Sequence, residues 1–392
     1  MTRRGVTAPA GFRAAGVAAG LKATGSRDVA LVVNDGPSYA AAGVFTRNRV
    51  KAAPVRWSQQ VLRGAELRAV LLNSGCANAC TGPAGFQDAH ASAEHVAAEL
   101  GTFGAGEVGA GQVAVCSTGL IGQRLDLPRL LAGITMATAE LSPTGGTAAA
   151  EAIMTTDTRP KTAERAGDGW QVGGMAKGAG MLAPELATML AVVTTDAVAD
   201  PPALAEALRR AVRVSFERVD SDGCLSTNDT VLLLASGAST VRPSADALTE
   251  AVTAVCADLA GQLIADAEGA TKQVAIEVTR AASEADAVAV ARAVARSNLV
   301  KTALFGGDPN WGRILAAVGT TTAVFDPDEL DVAVNGVWVA RAGAAAAARE
   351  AADLSGAQVR VEIVLHAGDH RATVWTNDLS HAYVHENSAY ST

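Results

Sequence analysis

A layered α/β (α+β) sandwich is the fold class that this 392-residue sequence predicts, and three observations lead there. Short apolar runs of strand length recur along the whole chain, at 29–33, 69–72, 113–116, 189–194, 231–235 and 274–278. Amphipathic helical patterns lie between them without a strict strand–helix–strand rhythm, which favours stacked layers over a doubly wound sheet. Hydrophobic residues make up 49% but aromatics only 4%, with 39 glycines, so Ala, Val, Leu and Gly must fill the core at close backbone approach.

Taken in chain order, the uncharged run 69–87 is long enough to span a bilayer, but Asn73, Gly75, Asn78, Gly82, Pro83 and Gly85 interrupt it, so it reads as strand then loop. Residues 143–146 and 167–174 read as loops. Asp200 and Pro201 form a cap and first turn for a helix carrying Leu204, Leu208, Ala211 and Val212 on one side. Leu248, Val252, Val255, Leu259 and Leu263 mark a longer amphipathic helix ending near Gly269, and a third helix is expected over 284–297. Residues 359–365 and 372–375 are expected to pair as antiparallel neighbours. Asp326-Pro327-Asp328 marks a boundary before a smaller C-terminal unit, from about 327.

The formal charge is −8, from 32 basic against 40 acidic side chains, which argues against a duplex nucleic-acid partner and for solubility. Five cysteines are too few and odd in number for a disulfide framework, so a reduced, cytoplasmic interior is expected. Cys76 and Cys80 stand in CANAC without a second ligand pair, and read as small buried residues of a glycine-rich loop; no metal is expected. Arg13 and Lys22 interrupt the N-terminal Ala/Gly stretch, so neither a signal peptide nor a membrane segment is expected. Dinucleotide, Walker, nucleophile-elbow and HExxH signatures are all absent from the sequence.

Five segments remain that can carry chemistry. The stretch KGAGMLAPELATML leads from Lys177 through Pro184 to Thr188 at the start of an apolar strand. Thr188 reads either as a β-branched strand opener or as a nucleophile freed by cleavage of the Ala187–Thr188 bond. In the second case its own α-amino group, with a reference pKa of about 8, is a ready base. STGLIG places Thr118 and Gly119 at a strand end, where a hydroxyl and backbone N–H groups can hold an oxyanion. GDPNWGR combines a polar turn, an aromatic and a cation, and a tight structural loop is an equal reading. Glu268 follows the long helix, and the chain closes on ENSAYST, which would have to be tied down to act.

With IMTTDT added, the order of these segments resembles the ornithine acetyltransferase (glutamate N-acetyltransferase) family of arginine biosynthesis over nearly the whole chain. The resemblance implies a precursor that cuts itself between Ala187 and Thr188, giving an α chain of residues 1–187 and a β chain of residues 188–392. The fold implied is the family's sandwich, similar in layout to N-terminal-nucleophile hydrolases. Thr188 is implied as nucleophile, Thr118 and Gly119 as the oxyanion hole, and Lys177, Glu268, Asn387 and Thr392 as substrate-binding, together with Thr155 or its neighbour Thr156. The reaction implied is ping-pong transfer of acetyl from N-acetylornithine to glutamate, without cofactor or metal, in an α2β2 heterotetramer. Acetyl-CoA as a second donor is left open, and a self-processing aminopeptidase or amidohydrolase is the alternative. Cys76 departs from the small or polar residue that relatives often carry, and touches none of these roles.

Overall fold

The computed structural model describes residues 4–102, 107–182 and 189–389. The first strands are β1 (Phe12–Val17), β2 (Val29–Asn34), β3 (Ala41–Phe45), β4 (Ala69–Cys76) and β5 (Val113–Leu120). Next come β6 (Lys161–Ala166), β7 (Gln171–Lys177), β8 (Leu190–Thr195), β9 (Thr230–Ala235) and β10 (Gln273–Ala281). Last are β11 (Asp331–Val334), β12 (Val337–Arg341), β13 (Ala344–Ala345), β14 (Gln358–Val364) and β15 (His370–Asn377). They form three sheets, in the orders β1-β2-β4-β5, β3-β9-β8-β7-β6 and β13-β12-β11-β14-β10-β15.

The second sheet is buried on both faces, and its period-two alternation divides two cores. Leu190, Val192, Leu232 and Leu234 point into the core shared with the first sheet and the helices Gly82–Thr102 and Leu127–Ala139. Ala191, Val193, Val231, Leu233 and Ala235 point the other way, against the helices Pro201–Val214 and Ala245–Ala265. The result is a helix–sheet–sheet–helix sandwich. The third sheet has its own core, built on Val274, Ile276 and Val278 with the helix Glu284–Ala295.

Asp200 caps its helix as the sequence suggests, its carboxylate accepting the Ala203 N–H at 2.9 Å. Helix Ala245–Ala265 is long and apolar enough to cross a membrane, but its Leu248, Val252, Val255, Leu259 and Leu263 lie in the second core.

Five expectations are corrected. The run 69–87 is loop only as far as Thr81, since Gly82 and Pro83 open a 21-residue helix, where a proline costs no hydrogen bond. Residues 171–174 belong to β7: Gly173 is there because the segment around Gly5 crosses it, and a Cβ would fall 2.1 Å from the Gly5 carbonyl oxygen. β14 and β15 are not neighbours, because β10 lies between them, parallel to β14 and antiparallel to β15. Their connection arches over the end of β10, with Leu365 N–H bonded to the Thr279 carbonyl and Ala367 N–H to that of Arg280. The third layer therefore begins at β10, well before Asp326-Pro327-Asp328, which is only a turn leading into β11. Cys80, finally, is exposed and Cys76 half-buried; neither is a core residue.

Candidate active site

Five parts of the fold converge on one cleft of about 930 Å³. β5 delivers Thr118 and Gly119; the turn after helix Gly146–Ala152 delivers Thr155, Thr156 and Asp157; β7 ends on Lys177. The turn after helix Ala245–Ala265 adds Glu268, and helix His381–Ala389 adds Asn387. The described residues to which the family resemblance gives site roles, Thr118, Gly119, Thr155 with its neighbour Thr156, Lys177, Glu268 and Asn387, thus line a single cavity. Ala187, Thr188 and Thr392 lie outside the described residues. Helix Trp311–Val318, opened by an Asn310 cap, does not line this cleft.

Lys177 is 1% exposed, and its Nζ donates to the Thr155 Oγ1 at 2.7 Å and the Thr118 Oγ1 at 3.3 Å. A hydroxyl that accepts from an ammonium still has its own hydrogen to donate, so Lys177 turns Thr118 into a donor toward the cleft. Burial pulls the Lys177 pKa down, and the nearby carboxylates of Asp157 and Glu268 oppose this. Gly119 follows at φ +128°, and a Cβ there would come within 2.4 Å of the Gly75 carbonyl carbon on the adjacent β4. The turn thus depends on glycine.

Asp157 joins the site to the buried frame. Its Oδ1 accepts from Lys161 Nζ at 2.6 Å and from Gly178 N–H at 2.7 Å, and its Oδ2 accepts the Thr155 N–H at 3.0 Å. Lys161, fully buried, also bonds Asp266 at 2.6 Å. Burial alone would push the Asp157 carboxyl up, but Lys177 and Lys161 hold it down at about 2. At the other side of the cleft Glu268 is buried, and its Oε2 accepts from Asn387 Nδ2 at 3.0 Å, which ties down the C-terminal helix.

Sequence reasoning quoted Asp157 within IMTTDT without giving it a role, and did not single out Lys161, Asp266 or Asn228. Asn228 bridges the first two sheets, donating to the carbonyls of Ala77 at 2.6 Å and Ser117 at 2.8 Å. The similar tetrapeptides TTDT (155–158) and TNDT (227–230) are the one signal that could have flagged Asp157 and Asn228; Lys161 and Asp266 carry none. Among the described residues no cluster of His, Cys, Asp and Glu is arranged to hold a metal ion.

An α/β sandwich whose cleft presents a buried ammonium, the buried carboxylates of Asp157 and Glu268, and hydroxyls beside a glycine turn belongs to an enzyme that acts on small molecules. This chain belongs to the ArgJ family, which it matches over residues 13–392. It is 62% identical over 386 residues to the arginine biosynthesis bifunctional protein ArgJ 1 of Streptomyces clavuligerus, covering 98% of this chain and 99% of that one. With the corresponding protein of Thermobifida fusca the identity is 60% over 387 residues, covering 99% and 100%. Among solved structures, ornithine acetyltransferase complexed with ornithine from Mycobacterium tuberculosis shares 66% identity over 47% of this chain and 96% of that chain, with a TM-score of 0.46.

Proposed function

We propose that the protein is a bifunctional enzyme of arginine biosynthesis that moves the acetyl group from N2-acetyl-L-ornithine to L-glutamate, as a self-processed acyltransferase. The observation that carries this reading is the convergence of Thr118, Gly119, Thr155, Lys177, Glu268 and Asn387 on one cleft, in a chain of the ArgJ family. β7 and β8 are antiparallel with Lys177 opposite Leu190, so Thr188 lies two residues along the chain from a partner of Lys177.

In this reading the Thr188 hydroxyl adds to the acetyl carbonyl and gives its proton to its own α-amino group. The tetrahedral oxyanion is held by the Thr118 hydroxyl and the Gly119 turn; collapse breaks the amide C–N bond and ornithine leaves as the amine. The amine of glutamate then attacks the Thr188 ester and departs as N-acetylglutamate. Lys177 meets a substrate carboxylate and Glu268 a substrate ammonium, with Thr155, Asn387 and Thr392 as further polar contacts. No cofactor or metal enters; acetyl-CoA would act only as an alternative donor. The mature enzyme would be two chains, 1–187 and 188–392, paired as α2β2 in the cytoplasm.

Brief exposure to N-acetylornithine followed by mass spectrometry tests this. The expected product is an acetyl adduct on the peptide that begins at Thr188, discharged by glutamate. An unmodified Thr188 peptide under single-turnover conditions would sink the acyl-enzyme, and acetate release unaffected by glutamate would make the protein a hydrolase.

A further inference from the structure

The connection from Asp220 to Thr230 grips the chain on both sides of residues 183–188. Leu182 donates its N–H to the Asp222 Oδ2 at 3.2 Å, and its carbonyl accepts from the N–H groups of Ser221 at 2.5 Å and Asp222 at 3.2 Å. Met189 donates its N–H to the Asp229 Oδ1 at 2.8 Å, and its carbonyl accepts the Thr230 N–H at 3.1 Å. Both backbone polar groups of both flanking residues therefore go to one connection. Leu182 and Met189 are 1% and 3% exposed, and Asp229 is wholly buried.

A carboxylate is an expensive way to satisfy one buried N–H, and the Met189 N–H, the Ser226 hydroxyl and the charge of Lys177 only partly offset the desolvation of Asp229. Asp229 shows the cost: its Oδ2 makes no hydrogen bond among the described residues, and burial raises its pKa well above the ordinary value. The bond it accepts comes from the peptide nitrogen joined directly to the Thr188 carbonyl carbon. Asp222 is half-buried and accepts from two backbone donors, the N–H groups of Leu182 and Cys224.

We infer that Asp222 and Asp229 are positioning residues for self-cleavage, a two-point clamp that fixes where the chain enters and leaves the Ala187–Thr188 segment. The inference rests on the reading of Thr188 as nucleophile. In that reaction the Thr188 hydroxyl oxygen adds to the Ala187 carbonyl carbon, the amide C–N bond breaks with the nitrogen taking the hydroxyl proton, and water hydrolyses the resulting ester. Attack needs a near-fixed approach of oxygen to carbon, which a slack segment does not supply.

The test follows cleavage of freshly translated full-length protein on a denaturing gel, for wild type and for Asp229→Ala, Asp222→Ala, Asp229→Asn and Asp222→Asn. The alanine variants should cleave about tenfold more slowly, as loss of one buried hydrogen bond implies. The asparagine variants, whose side-chain carbonyl still accepts the same N–H, should recover most of the rate, a rescue that a merely structural acidic residue would not give. Where an alanine variant fails to fold, Asp229→Glu and Asp222→Glu decide, because they keep the carboxyl group and displace its oxygens; slowed cleavage is expected. Folded alanine or glutamate variants that cleave at the wild-type rate, or asparagine variants as slow as alanine, overturn the clamp. A wild-type chain that never cleaves overturns the reading of Thr188 as well; a cleaving wild type with unaffected variants overturns the clamp alone.

Discussion

Lys177 and Asp157 are buried opposite charges 3.9 Å apart that make no hydrogen bond to each other, and Thr155 joins them. Its N–H goes to Asp157 and its hydroxyl accepts from Lys177. Asp157→Asn keeps the shape and removes the charge that two buried lysines face. We expect a loss of about 3 kcal/mol of stability, the usual effect of breaking a buried ion pair, measured by urea unfolding near neutral pH.

The same carboxylate sets an acid limit. Its native pKa is about 2 against an ordinary 3.8, so between these values the unfolded chain binds more protons than the native one. The stability it contributes is therefore complete above 3.8 and is lost as pH falls toward 2. Unfolding midpoints of wild type should drop more steeply across this window than those of Asp157→Asn; parallel profiles would remove Asp157 as the source.

Gly180 tests the carboxylate side of the cleft. A Cβ there would lie 2.4 Å from the Glu268 Oε2, at a backbone conformation any residue can adopt. Gly180→Ala should displace the Glu268 carboxylate without straining the chain. The expected outcome is a KM for the amino-acid substrates raised roughly tenfold, as for one lost charged contact, with the melting temperature nearly unchanged.

Gly119→Ala should behave differently, since the obstruction is the backbone of Gly75 and cannot give way. We expect kcat to fall by about 10²–10³, the loss typical of an oxyanion donor, together with a lower melting temperature. Gly122, at φ +84° with nothing within 4 Å of a Cβ, is the control. Gly122→Ala should cost only about 1 kcal/mol of stability and leave turnover intact.

The layered class, most strands and the three amphipathic helices were legible because their period-two and period-3.6 patterns are local. The segments that hold Thr118, Gly119, Lys177, Glu268 and Asn387 stood out too, but only the family resemblance gave these residues roles. The insertion of β10 between β14 and β15 was not legible, because a five-residue connection fits a hairpin as well as an arch over a third strand. The carboxylates were nearly as silent. Asp157, Asp222, Asp229 and Asp266 look in sequence like ordinary turn residues, and contacts with Lys161, Leu182 and Met189, most of them distant in sequence, give them work. The choice between Thr155 and Thr156 was open for the same reason; the geometry bonds Lys177 to Thr155.

The order of the second sheet has a consequence for how such a protein can be made. From edge to edge it runs β3, β9, β8, β7, β6, so strands from before residue 183 flank a pair from after residue 188 on both sides. A cut between β7 and β8 would therefore leave two interleaved polypeptides. Produced apart, the later fragment would expose both edges of an apolar β8–β9 ribbon, and the earlier one would lack the centre of its sheet; each is a template for aggregation. Synthesis as one chain lets the sheet close before any bond is broken. Severing is then a finishing step on an assembled object, and two separately encoded halves would be poor substitutes for the precursor.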